Sequence, residues 1–120
     1  MNKKTLVFGA STNPSRYSYL AIERLVFHGF EVVAFGKRQG KVENVTVDTN
    51  LLPYSNIHTV TLYMNAGHQK MYYDYIVALK PQRVIFNPGT ENPEFYNVLQ
   101  EANIKYEVAC TLVLLSTNQY

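Results

Sequence analysis

The sequence predicts an α/β fold: a single three-layer domain over residues 1–120, with helices on both faces of a mostly parallel sheet. Three observations carry this. Short apolar, β-branched runs alternate with helically spaced segments along all 120 residues, the pattern of parallel strands joined by right-handed crossovers. The first run ends in Gly9 and enters a small polar loop that opens onto a helix. The length supplies one domain, and an apolar fraction of 47% lets it bury one core without staples.

Residues 4–9 (KTLVFG) are an apolar run closed by glycine, a buried strand. Residues 17–28 (YSYLAIERLVFH) place apolar groups at Ala21 and Leu25 and at Ile22 and Val26, the spacing of a helix. Ser15 or Ser18 is available to cap its start, and Gly29 to close its end. Residues 31–35 (EVVAF) form a second strand, ended by Gly36. Between residues 37 and 56 the pattern weakens, although Val45 and Val47 alternate about Thr46 as a short edge strand. Residues 59–63 (TVTLY) are the fourth strand, and residues 69–79 (QKMYYDYIVAL) one helix stopped by Pro81. Residues 83–86 (RVIF) are the fifth strand, followed by the turn Asn87-Pro88-Gly89-Thr90. Asn92-Pro93-Glu94 opens the next helix, which runs to near Asn103. Asparagine caps it, proline takes the first helical position, and the carboxylate meets the positive helix end. Residues 105–108 begin a last strand, and residues 110–115 are apolar without a decisive period.

The alternation makes the fold Rossmann-like, with an expected strand order of 3-2-1-4-5-6. Ligands in such sheets sit beyond the carboxyl ends of the strands, where the order reverses. That rule selects four loops: residues 9–18, 36–41, 63–67 and 87–92.

In the first loop only one glycine of the dinucleotide signature G-x-G-x-x-G is present, since the chain reads Gly9-Ala10-Ser11-Thr12-Asn13-Pro14. Gly9 permits the tight exit from the strand, Ala10 is small, and Ser11, Thr12 and Asn13 offer side-chain hydrogen bonds. Backbone amides at the helix start face an anion well, and Arg16 adds a forked cation suited to phosphate. The second loop discriminates further. Binders of unphosphorylated NAD place a carboxylate at the end of the second strand, but here Phe35-Gly36-Lys37-Arg38 puts two cations together. They suit a phosphate on the adenosine ribose, the 2′-phosphate of NADP or the 3′-phosphate of coenzyme A.

Taken together, Gly9-Ala10-Ser11, Pro14, Arg16, Ser18-Tyr19, Gly29 and Gly36-Lys37-Arg38 resemble the stand-alone CoA-binding proteins, a family related to the N-terminal domain of the succinyl-CoA synthetase α subunit. The family opens with a strand, then Gly-Ala-Ser, a variable pair, Pro, and Arg near a Ser-Tyr pair. The likeness continues through Thr59-Val60-Thr61-Leu62-Tyr63, Asn87-Pro88-Gly89-Thr90-Glu91 and Cys110, and so spans essentially the whole chain. It implies a Rossmann-like domain whose cofactor is coenzyme A or an acyl-CoA. Gly9, Ala10, Ser11, Thr12, Asn13, Arg16 and Ser18 would then hold the pyrophosphate. Gly36, Lys37 and Arg38 would lie near the 3′-phosphate, and Tyr63, Asn65, Asn87, Gly89 and Thr90 would line the rest of the crevice. Two features depart from the family pattern. The second strand ends without the usual Asn-Pro-Lys run, and the turn after the fifth strand is Asn87-Pro88-Gly89-Thr90 where the family often has a glutamate-containing loop.

The remaining features bound the function. A net charge of +2 with scattered Lys and Arg gives no nucleic-acid surface. No stretch approaches the ~20 apolar residues of a membrane span. Asn2 is polar and no leader-type run follows, so a cytoplasmic location is expected. The single Cys110 excludes an intramolecular disulfide and reads as a buried thiol. His28, His58 and His68 share no ligand spacing, so no metal is expected. Glu91 is the one crevice carboxylate positioned to act as a base, although a plain helix-start charge is the simpler role. No Ser-His-Asp set is present. Tyr72-Tyr73-Asp74-Tyr75 surrounds its helix with aromatic groups, which raises a homodimer as a further expectation. The function expected is a CoA or acyl-CoA binding module, non-catalytic on its own. An NADP-binding oxidoreductase or nucleotide sensor is the alternative, and a scaffold without ligand the third.

Overall fold

The computed structural model describes residues 3–120. Along the chain run β1 (Thr5–Ala10), α1 (Tyr17–Phe27), β2 (Val32–Gly36), β3 (Gly40–Val42), β4 (Val45–Asp48) and β5 (Thr59–Leu62). They are followed by α2 (Ala66–Gln69), a 3-10 turn (Lys70–Tyr72), α3 (Tyr73–Leu79), β6 (Arg83–Phe86), α4 (Pro93–Glu101), β7 (Lys105–Val108) and α5 (Thr111–Ser116). The strands form one sheet in the order β3-β4-β2-β1-β5-β6-β7. All pairings are parallel except β3 with β4.

The fold is α/β and Rossmann-like, as expected, and β4-β2-β1-β5-β6-β7 reproduces the order 3-2-1-4-5-6. The correction is β3, an antiparallel strand added at the edge. Glu43 and Asn44 both take positive φ, 50° and 66°, as a two-residue hairpin turn of primed type requires. The turn lacks the Asn-Gly or Asp-Gly that announces such hairpins, so Gly40-Lys41-Val42 reads as loop in the sequence.

Alternation along the strands divides the core. Leu6, Phe8, Val60, Leu62, Val84 and Phe86 point to one face and meet Ile76 of α3 and Phe95 and Leu99 of α4. Val7, Ala34, Val47 and Ile85 point to the other and meet Ile22 and Leu25 of α1 and Leu115 of α5. Fully burying one such side chain contributes about 1.5–3 kcal/mol.

Helix α1 closes as expected. Gly29 takes φ 84°, its N–H bonds Val26 O at 2.9 Å and the Phe30 N–H bonds Leu25 O at 3.1 Å, a Schellman motif. Its start differs from expectation: Arg16 occupies the N-cap without a side-chain cap. Ser18 instead accepts the Ser11 N–H at 3.1 Å, and the Ser15 hydroxyl donates to Asn13 Oδ1 at 2.9 Å. The helix expected over residues 69–79 starts earlier, capped by Asn65, and is broken by the 3-10 turn. At α4 the Asn92 cap stands, with Oδ1 accepting the Phe95 N–H at 3.3 Å. The undecided segment 110–115 is helical, because Thr111 docks its N–H on Asn87 Oδ1 at 2.8 Å and its hydroxyl on Thr61 Oγ1 at 2.8 Å.

The tyrosine run is engaged inside the chain. Tyr72 and Tyr75 pack on Phe8 with ring centroids 5.0 and 6.0 Å away, and Tyr73 stacks on Phe95 at 4.3 Å. Among the described residues no helix is long and apolar enough to cross a membrane.

Candidate functional site

The carboxyl ends of β1, β2, β5 and β6 deliver their loops to one crevice of about 980 Å³. That is near the top of the ~300–1,000 Å³ range of small-molecule sites. It gathers Gly9, Ala10, Ser11, Thr12, Asn13, Arg16, Ser18, Gly36, Lys37, Arg38, Tyr63, Asn65, Gly89 and Thr90. Of the residues expected at the site, Asn87 alone is missing from the lining.

Close backbone approaches form the floor. Gly9 turns the chain out of β1 with φ 97°, and a Cβ there would stand 3.0 Å from the Tyr63 carbonyl carbon and oxygen. A Cβ on Gly36 would meet the Ala10 carbonyl oxygen at 2.2 Å, and one on Gly40 would meet Thr12 Cγ2 at 2.6 Å. These glycines let the first loop lie directly against β5, β2 and β3.

The first loop holds its own shape. The Asn13 N–H bonds Ser11 Oγ at 3.0 Å, the Ser15 N–H bonds Asn13 Oδ1 at 3.0 Å, and the Arg16 N–H bonds Asn13 O at 3.0 Å. Ser11 and Asn13 are thus occupied in shaping the turn. The first amides of α1, on Tyr17 and Ser18, have no carbonyl one helical turn earlier to bond, and both residues line the crevice. With the positive end of the helix axis, they form a ready anion site.

The charge of the lining is one-sided. Arg16, Lys37 and Arg38 face the crevice and no Asp or Glu lines it. None of the three forms an ion pair among the described residues, where the pairs are Lys4–Glu31, Lys70–Glu94 and Arg83–Glu107. At the end of β4, Asp48 stands opposite Phe35 in the register. It stays out of the lining and accepts the Tyr54 hydroxyl, and burial, then this bond, raises the Tyr54 phenol well above its ordinary range.

On the other wall Asn65 Oδ1 accepts the His68 N–H at 3.1 Å. Burial pushes the Tyr63 phenol up and keeps it protonated. Glu91 accepts the Gly89 N–H at 2.9 Å and so ties its own turn. Gln69, fully buried, donates to Met64 O at 2.9 Å and to Thr90 O at 2.8 Å. Its oxygen accepts from Asn92 Nδ2 at 2.9 Å. This one amide holds the loops after β5 and β6 together.

Asn87 works behind the crevice. It is 2% exposed, donates to Thr61 Oγ1 and Leu62 O at 2.7 and 2.8 Å, and accepts the Thr111 N–H. Its amide is spent joining β5, β6 and α5. Cys110, partly exposed at the N-cap of α5, is also outside the lining. Among the described residues no group of three His, Cys, Asp or Glu could hold a metal ion.

Tyr17, Met64 and Pro88 also line the crevice and fall within the loops 9–18, 63–67 and 87–92 that the sequence selects, whereas Phe35, Thr49, His68, Met71 and Tyr72 lie outside the selected loops. Phe35 directly precedes the selected Gly36. Thr49 follows a strand too weak to select its loop, and Met71 belongs to the 3-10 turn that interrupts the expected helix.

Comparison with protein families matches residues 3–116 to a model described as a CoA binding domain. Among solved structures, one described as an uncharacterized protein is 45% identical, with a TM-score of 0.97 over 100% of this chain and 99% of that one. A protein from Thermus thermophilus, 22% identical, has a TM-score of 0.84 over 98% of this chain and 90% of its own. A hypothetical protein from Pyrococcus horikoshii OT3, 23% identical, has a TM-score of 0.86 over 96% of this chain and 82% of its own. These last two share the fold. Comparison with curated proteins finds no match.

Proposed function

The chain belongs to the family of CoA binding domains, and from that premise we propose that it binds coenzyme A or an acyl-CoA as a single-domain module without catalysis of its own. One observation carries the reading beyond the family: the crevice has three cations, all free of carboxylate partners among the described residues, and no acid in its lining. The diphosphate is assigned to the Gly9–Ser18 loop, with the Tyr17 and Ser18 amides and Arg16 as donors. The 3′-phosphate is assigned to Lys37 and Arg38, where guanidinium and ammonium neutralise a dianion. The non-catalytic reading rests on the side chains present. Ser11 faces the crevice but accepts an amide, His68 is the sole imidazole in the lining, and no carboxylate stands there to orient it. A cytoplasmic location accords with a chain whose one thiol has no partner within it.

The basic pair also favours a second reading, an NADP-linked oxidoreductase or nucleotide sensor. It ranks below the first because Ser11 and Pro14 stand where the dinucleotide signature has glycine.

Thermal melting with CoA, acetyl-CoA, dephospho-CoA, NADP, NAD and ATP tests both. A ligand at one hundred times its Kd stabilises by ~2.7 kcal/mol, roughly 10 °C for a domain of this size. CoA is expected to shift the midpoint most, dephospho-CoA less, and the K37A/R38A double variant to remove that difference. A preference for CoA that survives both substitutions overturns the assignment of the pair. A panel in which NADP alone shifts the midpoint selects the second reading.

A further inference from the structure

The sheet ends in two edge strands. At one end β3 opens with Gly40 and is tied to β4 through a tight hairpin. At the other end β7 (Lys105–Val108) has no proline, glycine or register shift, and among the described residues it pairs only with β6. Its ladder shows which peptide groups remain over. The Ala109 N–H reaches Phe86 O at 3.2 Å, and Phe86 stands opposite Val108 in the register. Alternate residues of a parallel strand turn their N–H and C=O to opposite sides. Lys105 and Glu107 therefore bond toward β6, and Tyr106 and Val108 point their peptide groups out of the sheet.

The side chains of this edge complement themselves. Lys105 and Glu107 share one face of the strand. Lys105 is exposed and has no carboxylate partner among the described residues. Glu107 meets Arg83 through Oε2 and remains 43% exposed. On the other face Tyr106 stacks on Tyr96 at 4.4 Å, and Val108 is 56% exposed. Two antiparallel copies with a two-fold axis at Tyr106 set each Lys105 opposite a Glu107. The same axis joins the two Tyr106 residues as a hydrogen-bonded pair and brings each Val108 opposite an Ile104. Centring the axis on Lys105 or on Glu107 instead sets like charge against like, and so does parallel pairing in register. Opposite charges across a strand pair favour a register, and like charges reject it. A lysine on a lone edge ordinarily keeps other chains away. Here a glutamate two positions on answers it, in one antiparallel register.

We propose that β7 is a dimer interface and that its partner is a second copy of this chain, added antiparallel about a two-fold axis at Tyr106. Two seven-stranded sheets then run on as one, and the isologous contact closes at the dimer. The tyrosine run at residues 72–75, from which the sequence raised a homodimer, is packed within the chain; the sheet edge supplies the surface instead. No residue of β7 lines the crevice, so the inference stands apart from the identity of the ligand.

Sedimentation equilibrium on the full chain, with amide hydrogen exchange read residue by residue, tests this in wild type, K105E and V108P. Wild type is expected to dimerise in the micromolar range. The Tyr106 and Val108 amides should gain protection as concentration rises, while the Glu107 amide, bonded to β6, is protected throughout. K105E converts both charge pairs to like-charge pairs and should weaken dimerisation roughly tenfold or more. V108P removes an outward N–H without touching the β6 ladder and should also leave a monomer. Circular dichroism checks that the variants fold; should V108P fail to fold, K105E and the wild-type exchange pattern decide. A wild type that stays monomeric throughout the micromolar range overturns the proposal. A dimer that K105E keeps at full strength, or that forms while the Tyr106 and Val108 amides stay unprotected, uses another surface and overturns it as well.

Discussion

At the scale of single residues, the site depends on side chains that are absent as well as present. Gly36 has no unusual φ, yet the space where its Cβ would stand holds the Ala10 carbonyl oxygen 2.2 Å away and Val47 Cγ1 at 3.0 Å. The register of β1 against β2 is already irregular between Phe8 and Ala10. Gly36→Ala therefore has to push β2 off the exit of β1, and overpacking of this kind costs about 1–3 kcal/mol. Urea denaturation should show a lower midpoint with an unchanged slope. An unaltered midpoint would mean that the strand ends separate freely. The sequence made Gly36 legible as a strand stop beside a basic pair, but its contact with Ala10 links residues far apart in the chain. Asn87 shows the same limit in reverse. A polar residue just past a strand reads identically whether its amide faces a ligand or, as here, bonds Thr61, Leu62 and Thr111.

At the scale of elements, what was legible is what local rules decide. The six parallel strands, the α1 termination at Gly29 and the Asn92 cap each follow from residues adjacent in sequence. What was not legible is what tertiary bonds impose. Residues 69–79 have helical spacing throughout, but Gln69 is drawn inward to bond two loops and the run breaks behind it. Gln69→Leu keeps comparable bulk and leaves Met64 O, Thr90 O and Asn92 Nδ2 short of a buried partner. An unsatisfied buried polar group costs ~1–3 kcal/mol. The expected loss is roughly 2–4 kcal/mol in all, within the range of single substitutions that break a buried network. Hydrogen exchange should show the 87–92 loop losing protection before the sheet does. Uniform loss across the chain would instead assign Gln69 a purely global role.

At the scale of the whole molecule, the two ends of the sheet treat positive charge in opposite ways. At the carboxyl ends of the strands, Arg16, Lys37 and Arg38 are left without carboxylate partners among the described residues. At the amino ends, Arg83 is engaged by the fold through Nε and Nη1, while Nη2 is buried without a hydrogen-bond partner among the described residues. Its Nε donates to Thr59 Oγ1 at 2.8 Å, Nη1 to Glu107 Oε2 at 2.9 Å, and its guanidinium lies over the Tyr120 ring, 4.4 Å from the centroid. Thr59 Oγ1, which accepts the Arg83 Nε–H, also lies 2.7 Å from His58 Nδ1, so the imidazole sits directly beside the Arg83 site. Burial first, then the charges of Arg83 and Lys3, lower the His58 pKa from its ordinary 6.5. The unfolded chain therefore takes up a proton near pH 6.5 before the folded chain does. Stability is fully present above that value and declines as pH falls through 6.5 toward the lowered folded pKa, below which this contribution is gone. Melting temperatures followed from pH 7.5 to 5 should fall in wild type and flatten in His58→Gln, which keeps a polar group beside Thr59 without titrating. Parallel curves for the two proteins would place the pH dependence elsewhere. Because Arg83 and His58 lie at the amino ends of the strands, CoA affinity in His58→Gln should match wild type, separating the charge that folds the sheet from the charge that serves its crevice.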